Sequence, residues 1–361
     1  RAASGRPIKA RTDGEFYLGV VGPVRTGKST FIKRFMELMV LPGMEDENDL
    51  MRTKDELPQS AAGKTIMTTQ PKFVPSEAAQ VFLQEGAAVR VRMVDSVGYL
   101  VKGALGSMED GGARMVHTPW SDQDIPFEQA AEIGTRKVIT DHATIGMVVT
   151  TDGTIADLPR SAYVEAEDRV ISELKAMGKP FVIVLNSATP RTAEALQLRE
   201  NLENRHGVPV MLLNVKEMGL EDIQHVLESI LLEFPVREVR FTVPAWLHAL
   251  EPGHWLVSHV MERVRAAGEE NRKMREGDVF QEAFAGSEYV PGLRQEGMHP
   301  GEGRIDFALT LQDGLFNRVL GEECGTEIRG DAHLLALMKE LVAAKAEYDH
   351  VADALRAVRE T

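Results

Sequence analysis

The strongest constraint on this chain lies near its start. The apolar run Phe16-Tyr17-Leu18-Gly19-Val20-Val21 is followed at once by Gly22-Pro23-Val24-Arg25-Thr26-Gly27-Lys28-Ser29. This is G-x-x-x-x-G-K-S after a strand and ahead of a helix, the context in which the pattern makes a phosphate-binding P-loop. Gly22 and Gly27 let the backbone turn tightly and bring its N–H groups against phosphate oxygens. Lys28 supplies a point charge for the outer phosphates, and the Ser29 hydroxyl suits Mg²⁺. The helix that opens here points its positive end at the anion. Gly22, Arg25, Thr26, Gly27, Lys28, Ser29 and Thr30 are the nucleotide-binding residues expected from this stretch. Arg25 reads equally well as reaching toward the phosphates or a neighbouring subunit and as a solvated surface residue.

Several function classes drop out on composition. With 41 Lys and Arg against 55 Asp and Glu, the net charge is -14. Nucleic-acid affinity comes largely from basic residues neutralising phosphates, so no nucleic-acid partner is expected. The one cysteine, Cys324, cannot close an internal disulfide, which suits a reducing cytoplasm. No apolar run reaches the length of a bilayer span, and no signal-peptide pattern opens the chain. The length of 361 residues allows two domains.

Short apolar strands alternate with amphipathic helices from Phe16 to about Glu233, which predicts a mostly parallel sheet covered on both faces. The expected strands are 16–21, 79–83, 89–94, 144–150, 181–186 and 208–214, with helices 28–40, 127–140, 161–177, 191–205 and 220–233. The short link Gln84-Glu85-Gly86 makes one edge strand antiparallel. Segments 41–78 and 99–126 read as long functional loops. The whole is expected as α/β: residues 1–13 a tag or disordered terminus, 14–235 a GTPase-like (TRAFAC-type) P-loop NTPase domain, and 236–361 a smaller α+β domain ending in a long helix. In that second part, strand 239–243, helix 254–276, a loop-like stretch 277–303, strand 304–310, helix 313–321 and helix 331–359 are expected. The last helix steps Leu334, Met338, Leu341, Ala344, Tyr348, Ala352 and Leu355 by threes and fours. A strict heptad puts Lys345 in the seam, so an amphipathic helix packed on its own domain is preferred over a coiled coil.

Hydrolysis of a nucleoside triphosphate needs an acidic partner for Mg²⁺ and a group that holds water. Asp95 closes an apolar strand in Val94-Asp95-Ser96-Val97-Gly98, an h-h-D-x-x-G pattern. Asp95 is expected to hold Mg²⁺ through water, and the Gly98 N–H to touch the γ-phosphate. Upstream, Gly63-Lys64-Thr65-Ile66-Met67-Thr68-Thr69 places threonines where GTPase-like folds contact metal and water. Thr68 and Thr69 are the candidates, with Thr65 third. Two departures narrow the reaction. Tyr99 follows Gly98 where Ras-like enzymes carry a water-orienting glutamine, so turnover is expected to be slow or to depend on assembly. Strand 181–186 ends in Asn186-Ser187-Ala188-Thr189, where a guanine-reading site has Asn-Lys-x-Asp. Thr189 lacks the bidentate carboxylate acceptor and Ser187 the stacking lysine. ATP use on a GTPase-type fold follows. Catalytic roles thus fall to Lys28, Thr68, Thr69 and Asp95, metal contact to Ser29, Thr68 and Asp95, and further nucleotide contact to Gly98, Asn186 and Ser187. Asn214-Val215-Lys216 is a weak addition to the base pocket. Thr150-Thr151-Asp152-Gly153-Thr154 reads as a loop and helix cap, and His117, His142 and His206 show no metal spacing.

The run from Tyr17 to Lys33 closely resembles the P-loop of the stage IV sporulation protein A family. So do Asp55 to Thr69, Glu132 to Lys137, Ile145-Gly146, Thr150 to Thr154 and Glu327 to Gly330, and the resemblance runs from about Gly14 to Thr361. It implies an ATP-binding and Mg²⁺-dependent ATP-hydrolysing cytoskeleton-like protein of endospore formers. Hydrolysis there drives a shape change and self-assembly into the basement layer of the spore coat. The family's P-loop lysine falls on Lys28, its switch II aspartate on Asp95 and its paired sensor threonines on Thr68 and Thr69. The implied partners are further copies of the same chain, other coat and cortex assembly proteins, and a small amphipathic membrane-anchor peptide. That peptide is bound through a C-terminal region expected to be absent from this chain. The implied location is the mother-cell cytoplasm, peripheral on the outer forespore membrane. The competing readings are a GTPase-type switch without polymerisation and a P-loop kinase acting on a small acceptor. The kinase would need an Arg-rich lid that the sequence lacks.

Overall fold

The computed structural model describes residues 15–44, 46–58, 72–82, 88–103, 108–109, 112–118, 121–268, 273–299 and 302–359. They form two compact units, one over Arg1–Pro235 with Pro300–Glu302 and one over Val236–His299 with Gly303–Thr361.

The strands of the first unit are β1 (Glu15–Val21), β2 (Lys72–Phe82), β3 (Ala88–Asp95), the short β4 (Met108–Glu109), β5 (Gly112–Ala113), β6 (Met115–Thr118) and β7 (Ser121–Pro126), then β8 (Ile145–Thr151), β9 (Phe181–Asn186) and β10 (Val210–Leu213). The helices are α1 (Lys28–Phe35), α2 (Glu47–Glu56), α3 (Phe127–Lys137), α4 (Val164–Ala176), α5 (Ala193–His206) and α6 (Leu220–Leu232). The main sheet runs β10-β9-β8-β1-β3-β2, parallel throughout except for β2 against β3. Every residue of β8 and β9 is buried, as central strands covered on both faces require. Alternation sorts their side chains. Met147, Val149, Val182 and Val184 pack with Phe31 and Phe35 of α1 and Val226 and Ile230 of α6. Val148, Ile183 and Leu185 face the other way, onto Val170, Ile171 and Leu174 of α4. The mostly parallel α/β expectation holds, and a smaller unit and a long final helix follow it.

The chain passes from β1 by way of α1 and α2 to one side of the sheet, and from β3 to β8 on the other. This reversal opens a crevice at the carboxyl ends of the strands, where open α/β sheets bind ligands. Register sets the members of that crevice: Val20 stands beside Asp95, Val21 beside Val148, and Thr151 beside Asn186.

Some boundaries differ from those expected. β2 starts at Lys72 and not at 79, since an edge strand tolerates exposed Lys72, Ser76 and Glu77 and a proline, Pro75, at its bulge. Segment 41–78 also carries α2, and 99–126 carries two short hairpins, β4–β5 and β6–β7. The expected helices 28–40 and 127–140 each finish in a π turn, Met36–Val40 and Val138–His142. Of residues 150–154, Thr150 and Thr151 end β8 and the rest form a turn closed by Asp152, whose carboxylate accepts the Thr154 N–H at 2.9 Å, and they cap no helix.

In the second unit β11 (Glu238–Thr242), β12 (Gly292–His299) and β13 (Arg304–Thr310) pair in the order β11-β13-β12, with α7 (Trp255–Gly268), α8 (Asp278–Glu282), α9 (Leu315–Cys324) and α10 (Asp331–Arg359). β12 lies in the stretch read as a loop, because only Leu293 of its residues is buried. The expected helix 254–276 stops at Gly268. Ile305, Phe307 and Leu309 point inward as their alternation predicts. α10 is not packed on its own unit along the expected stripe: Met338, Leu341 and Tyr348 are 50%, 60% and 55% exposed. No helix among the described residues is long and apolar enough to cross a membrane.

Candidate active site

The turn after β1 is built as a cradle. Gly22 and Gly27 take φ of 139° and 98°, and a Cβ on Gly22 would stand 2.3 Å from the Val149 carbonyl oxygen. A Cβ on Gly27 would stand 2.4 Å from Asn186 Nδ2. Arg25 also adopts a left-handed φ, 63°, and its charge partly counters the burial that raises the Tyr163 phenol. No side chain caps the first turn of α1, so its N–H groups keep the arrangement that favours an anion. Thr30 is half-buried in that turn.

Lys28 is 5% exposed and its ammonium donates to the Pro23 carbonyl at 2.6 Å and to that of Gly22 at 3.4 Å. Burial lowers its pKa to about 8, with Asp95 opposing the shift. The Ser29 hydroxyl donates to Asp95 Oδ2 at 3.0 Å, whereas the buried Asp95 Oδ1 has no hydrogen-bond partner. Burial raises the Asp95 pKa, held back by Lys28, the Ser29 hydroxyl, the Ser96 N–H and Lys72. Each charge in this pair is under-solvated. Gly98 has φ of 93° and lies so close that a Cβ there would meet Lys28 Nζ at 2.4 Å.

Asn186 ties the crevice together from below. Its amide donates to the Thr26 carbonyl at 2.9 Å and accepts the Val215 N–H at 3.1 Å. Thr26 is itself buried and donates its hydroxyl to the Pro23 carbonyl. Ser187 is fully buried, with its hydroxyl accepting the Thr189 N–H at 3.0 Å, so it shapes the loop after β9. Thr189 is exposed and brings no carboxylate there.

Residues 5–235 match the family described as Stage IV sporulation protein A, ATPase domain, and residues 236–361 its middle domain. The chain belongs to the Stage IV sporulation protein A family. It is 49% identical to Stage IV sporulation protein A of Bacillus subtilis (strain 168) and 48% identical to that of Bacillus anthracis, over 99% of this chain and 72% of each relative. The protein of that name from Clostridioides difficile (strain 630) is 46% identical over 96% of this chain and 71% of its own length.

Lys28, Ser29, Asp95, Gly98 and Asn186, expected at a Stage IV sporulation protein A nucleotide site, thus converge on one crevice. Thr68, Thr69 and Thr65 lie outside the described residues. Tyr99, at the place of a water-orienting glutamine, is 2% exposed and turns its phenol to Glu173, away from the crevice. Sequence reasoning missed Thr135, whose hydroxyl accepts the Gly98 N–H at 3.1 Å. It stands inside Glu132 to Lys137, a stretch singled out by resemblance alone. His206 comes near Glu167 and Asp168, but Arg160 engages Glu167 with bonds of 2.6 and 2.8 Å, which disfavours a metal there.

Mg²⁺ fits the Ser29–Asp95 pair, because the buried, unpartnered Asp95 Oδ1 stands beside a hydroxyl and both are hard oxygen donors. The Lys28 pKa sets a pH dependence. Phosphate anions favour the protonated amine, while with protein groups alone around it the amine titrates at about 8. Binding above that pH must therefore take up a proton. Triphosphate affinity should fall by up to about tenfold per pH unit above pH 8. Calorimetry in buffers of different protonation heat checks this, and a level affinity from pH 7 to 9.5 would contradict it.

Proposed function

We propose that this chain binds and hydrolyses ATP with Mg²⁺, and that hydrolysis gates its self-assembly into the basement layer of the bacterial spore coat. The observation that carries the reading is the convergence of buried Lys28 with half-buried Ser29 and Asp95, together with a loop after β9 that has exposed Thr189 and no carboxylate at its place. Lys28 neutralises the outer phosphates, the uncapped start of α1 receives their oxygens, and Asn186 fixes the P-loop against the base side. Mg²⁺ would supply the positive charge that the pair of oxygen donors lacks. Thr68 or Thr69 positions the attacking water. The membership in a sporulation family supports a place in the mother-cell cytoplasm, at the outer forespore membrane. Partners there are further copies of this chain, other coat and cortex proteins, and a small amphipathic anchor peptide.

Sedimentation tests the gating. Wild-type protein incubated with ATP and Mg²⁺ should pellet as phosphate is released. Asp95→Ala should lower turnover about a thousandfold, the scale of losing one preorganised electrostatic group, and should not pellet. Pelleting by Asp95→Ala equal to wild type would separate assembly from hydrolysis and overturn the reading.

A further inference from the structure

The segment that follows Asp95 is held from three sides. The Gly98 N–H donates to Oγ1 of Thr135, a fully buried residue of α3, at 3.1 Å. The Tyr99 backbone is stitched to the P-loop: its N–H donates to the Gly22 carbonyl at 3.2 Å, and its carbonyl accepts the Val24 N–H at 2.9 Å. The Tyr99 phenol donates to Glu173 of α4. Glu173 also accepts Arg136, next in sequence to Thr135, at 3.1 Å, and lies 3.7 Å from Arg169. The Arg169 guanidinium sits over the Tyr99 ring at 4.9 Å.

Gly98 stands at the Lys28 end of the crevice, where an outer phosphate would lie. Its N–H is a single donor, and Thr135 already holds it. A buried N–H left without an acceptor is costly, so the donor passes from one acceptor to another and is not simply released.

We propose that Thr135 is a positioning residue that competes with the terminal phosphate of ATP for the Gly98 N–H, and so sets the balance between triphosphate and diphosphate states. This rests on the ATP reading above. With Thr135 as acceptor, the Gly98 N–H is bonded whenever no terminal phosphate is present, which favours the diphosphate state. With ATP, the Gly98 N–H turns to the phosphate and the Thr135 bond breaks. Tyr99 follows in the chain and is bonded to Glu173, which is bonded to Arg136. Motion of Gly98 is therefore felt on α3 and α4 together. ATP shifts this equilibrium by its differential contact with Gly98 alone, since ADP has no group at that place.

The test is calorimetric binding of a non-hydrolysable ATP analogue and of ADP, each with Mg²⁺, to wild type, Thr135→Val and Thr135→Ser. Valine keeps the branched shape and removes the acceptor. The Gly98 N–H then lacks an acceptor both without nucleotide and with ADP, and regains one with the analogue. Analogue affinity should rise about tenfold (~1.4 kcal/mol) in Thr135→Val, with ADP affinity unchanged. Thr135→Ser should restore the wild-type ratio. Thr135→Ala carries the same prediction if the valine variant does not fold. A purely structural Thr135 would move both affinities together, and an unchanged ratio with both nucleotides bound overturns the inference. Failure of wild type to bind either nucleotide would instead overturn the ATP reading, and this inference with it.

Discussion

Lys28→Met should abolish useful nucleotide binding while leaving the folded protein at least as stable as wild type. The two effects have opposite signs because the same charge is burdened in one state and used in the other. The ammonium is buried, and its pKa of about 8 against 10.5 for a free lysine corresponds to roughly 3 kcal/mol of burial cost at neutral pH. Methionine keeps the apolar stem and removes that cost, against the loss of bonds to the Pro23 and Gly22 carbonyls and of the charge facing Asp95, whose raised pKa lets it take up a proton in compensation. The sign with pH follows. Between pH 8 and 10.5 the unfolded lysine holds its proton and the folded one does not, so wild-type stability from this group rises with pH. Lys28→Met should lack that rise. ATP affinity should fall at least about a hundredfold, since a desolvated charge opposite phosphate is lost. Chemical unfolding and calorimetry on the same samples check both halves. A variant less stable than wild type by more than about 2 kcal/mol would show that Lys28 stabilises this fold, contrary to the account.

Glu167→Ala should be the most destabilising single change named here, although Glu167 has no place in the crevice. Its carboxylate has no exposed surface and accepts Arg160 twice, at 2.6 and 2.8 Å, and the buried Thr150 hydroxyl at 2.5 Å. Removing one partner of a buried pair leaves the other polar groups poorly satisfied, a loss of about 3–5 kcal/mol. For a domain of this size that is on the order of 10 °C in melting temperature. Glu167→Gln keeps an acceptor oxygen and should lose less. Thr150 and Thr151 close β8 beside Asn186, so nucleotide affinity should weaken with the loosened strand end. Thermal unfolding of both variants decides this, and an alanine variant within 1 kcal/mol of wild type would contradict it.

The parts legible in the sequence are those where one residue type has one physical use. The glycines at 22 and 27 need left-handed φ, Lys28 follows them into a helix, and Asp95 ends an apolar strand. Central strands such as β8 and β9 announce themselves by unbroken apolar runs. Edge strands do not: β2 and β12 bury few side chains, so their backbone pairing leaves little pattern to read. Buried polar residues on helices are also silent. Nothing in the sequence sets Thr135 or Glu167 apart from the rest of its helix, and only tertiary structure reveals that one accepts Gly98 and the other Arg160. Tyr99 stands out in the sequence at the place of a glutamine, but its bond to Glu173 depends on a residue 74 positions away in the chain.

ATP against GTP turnover by the wild-type chain, measured side by side with Mg²⁺, decides between an adenine and a guanine nucleotide as the substrate. A loop after β9 with exposed Thr189 and no carboxylate leaves the guanine N1–H and amine without a paired acceptor, a loss that discriminates by orders of magnitude. The kcat/KM for ATP should exceed that for GTP, and both should be lost on chelating Mg²⁺. Equal turnover, or a preference for GTP, would contradict it.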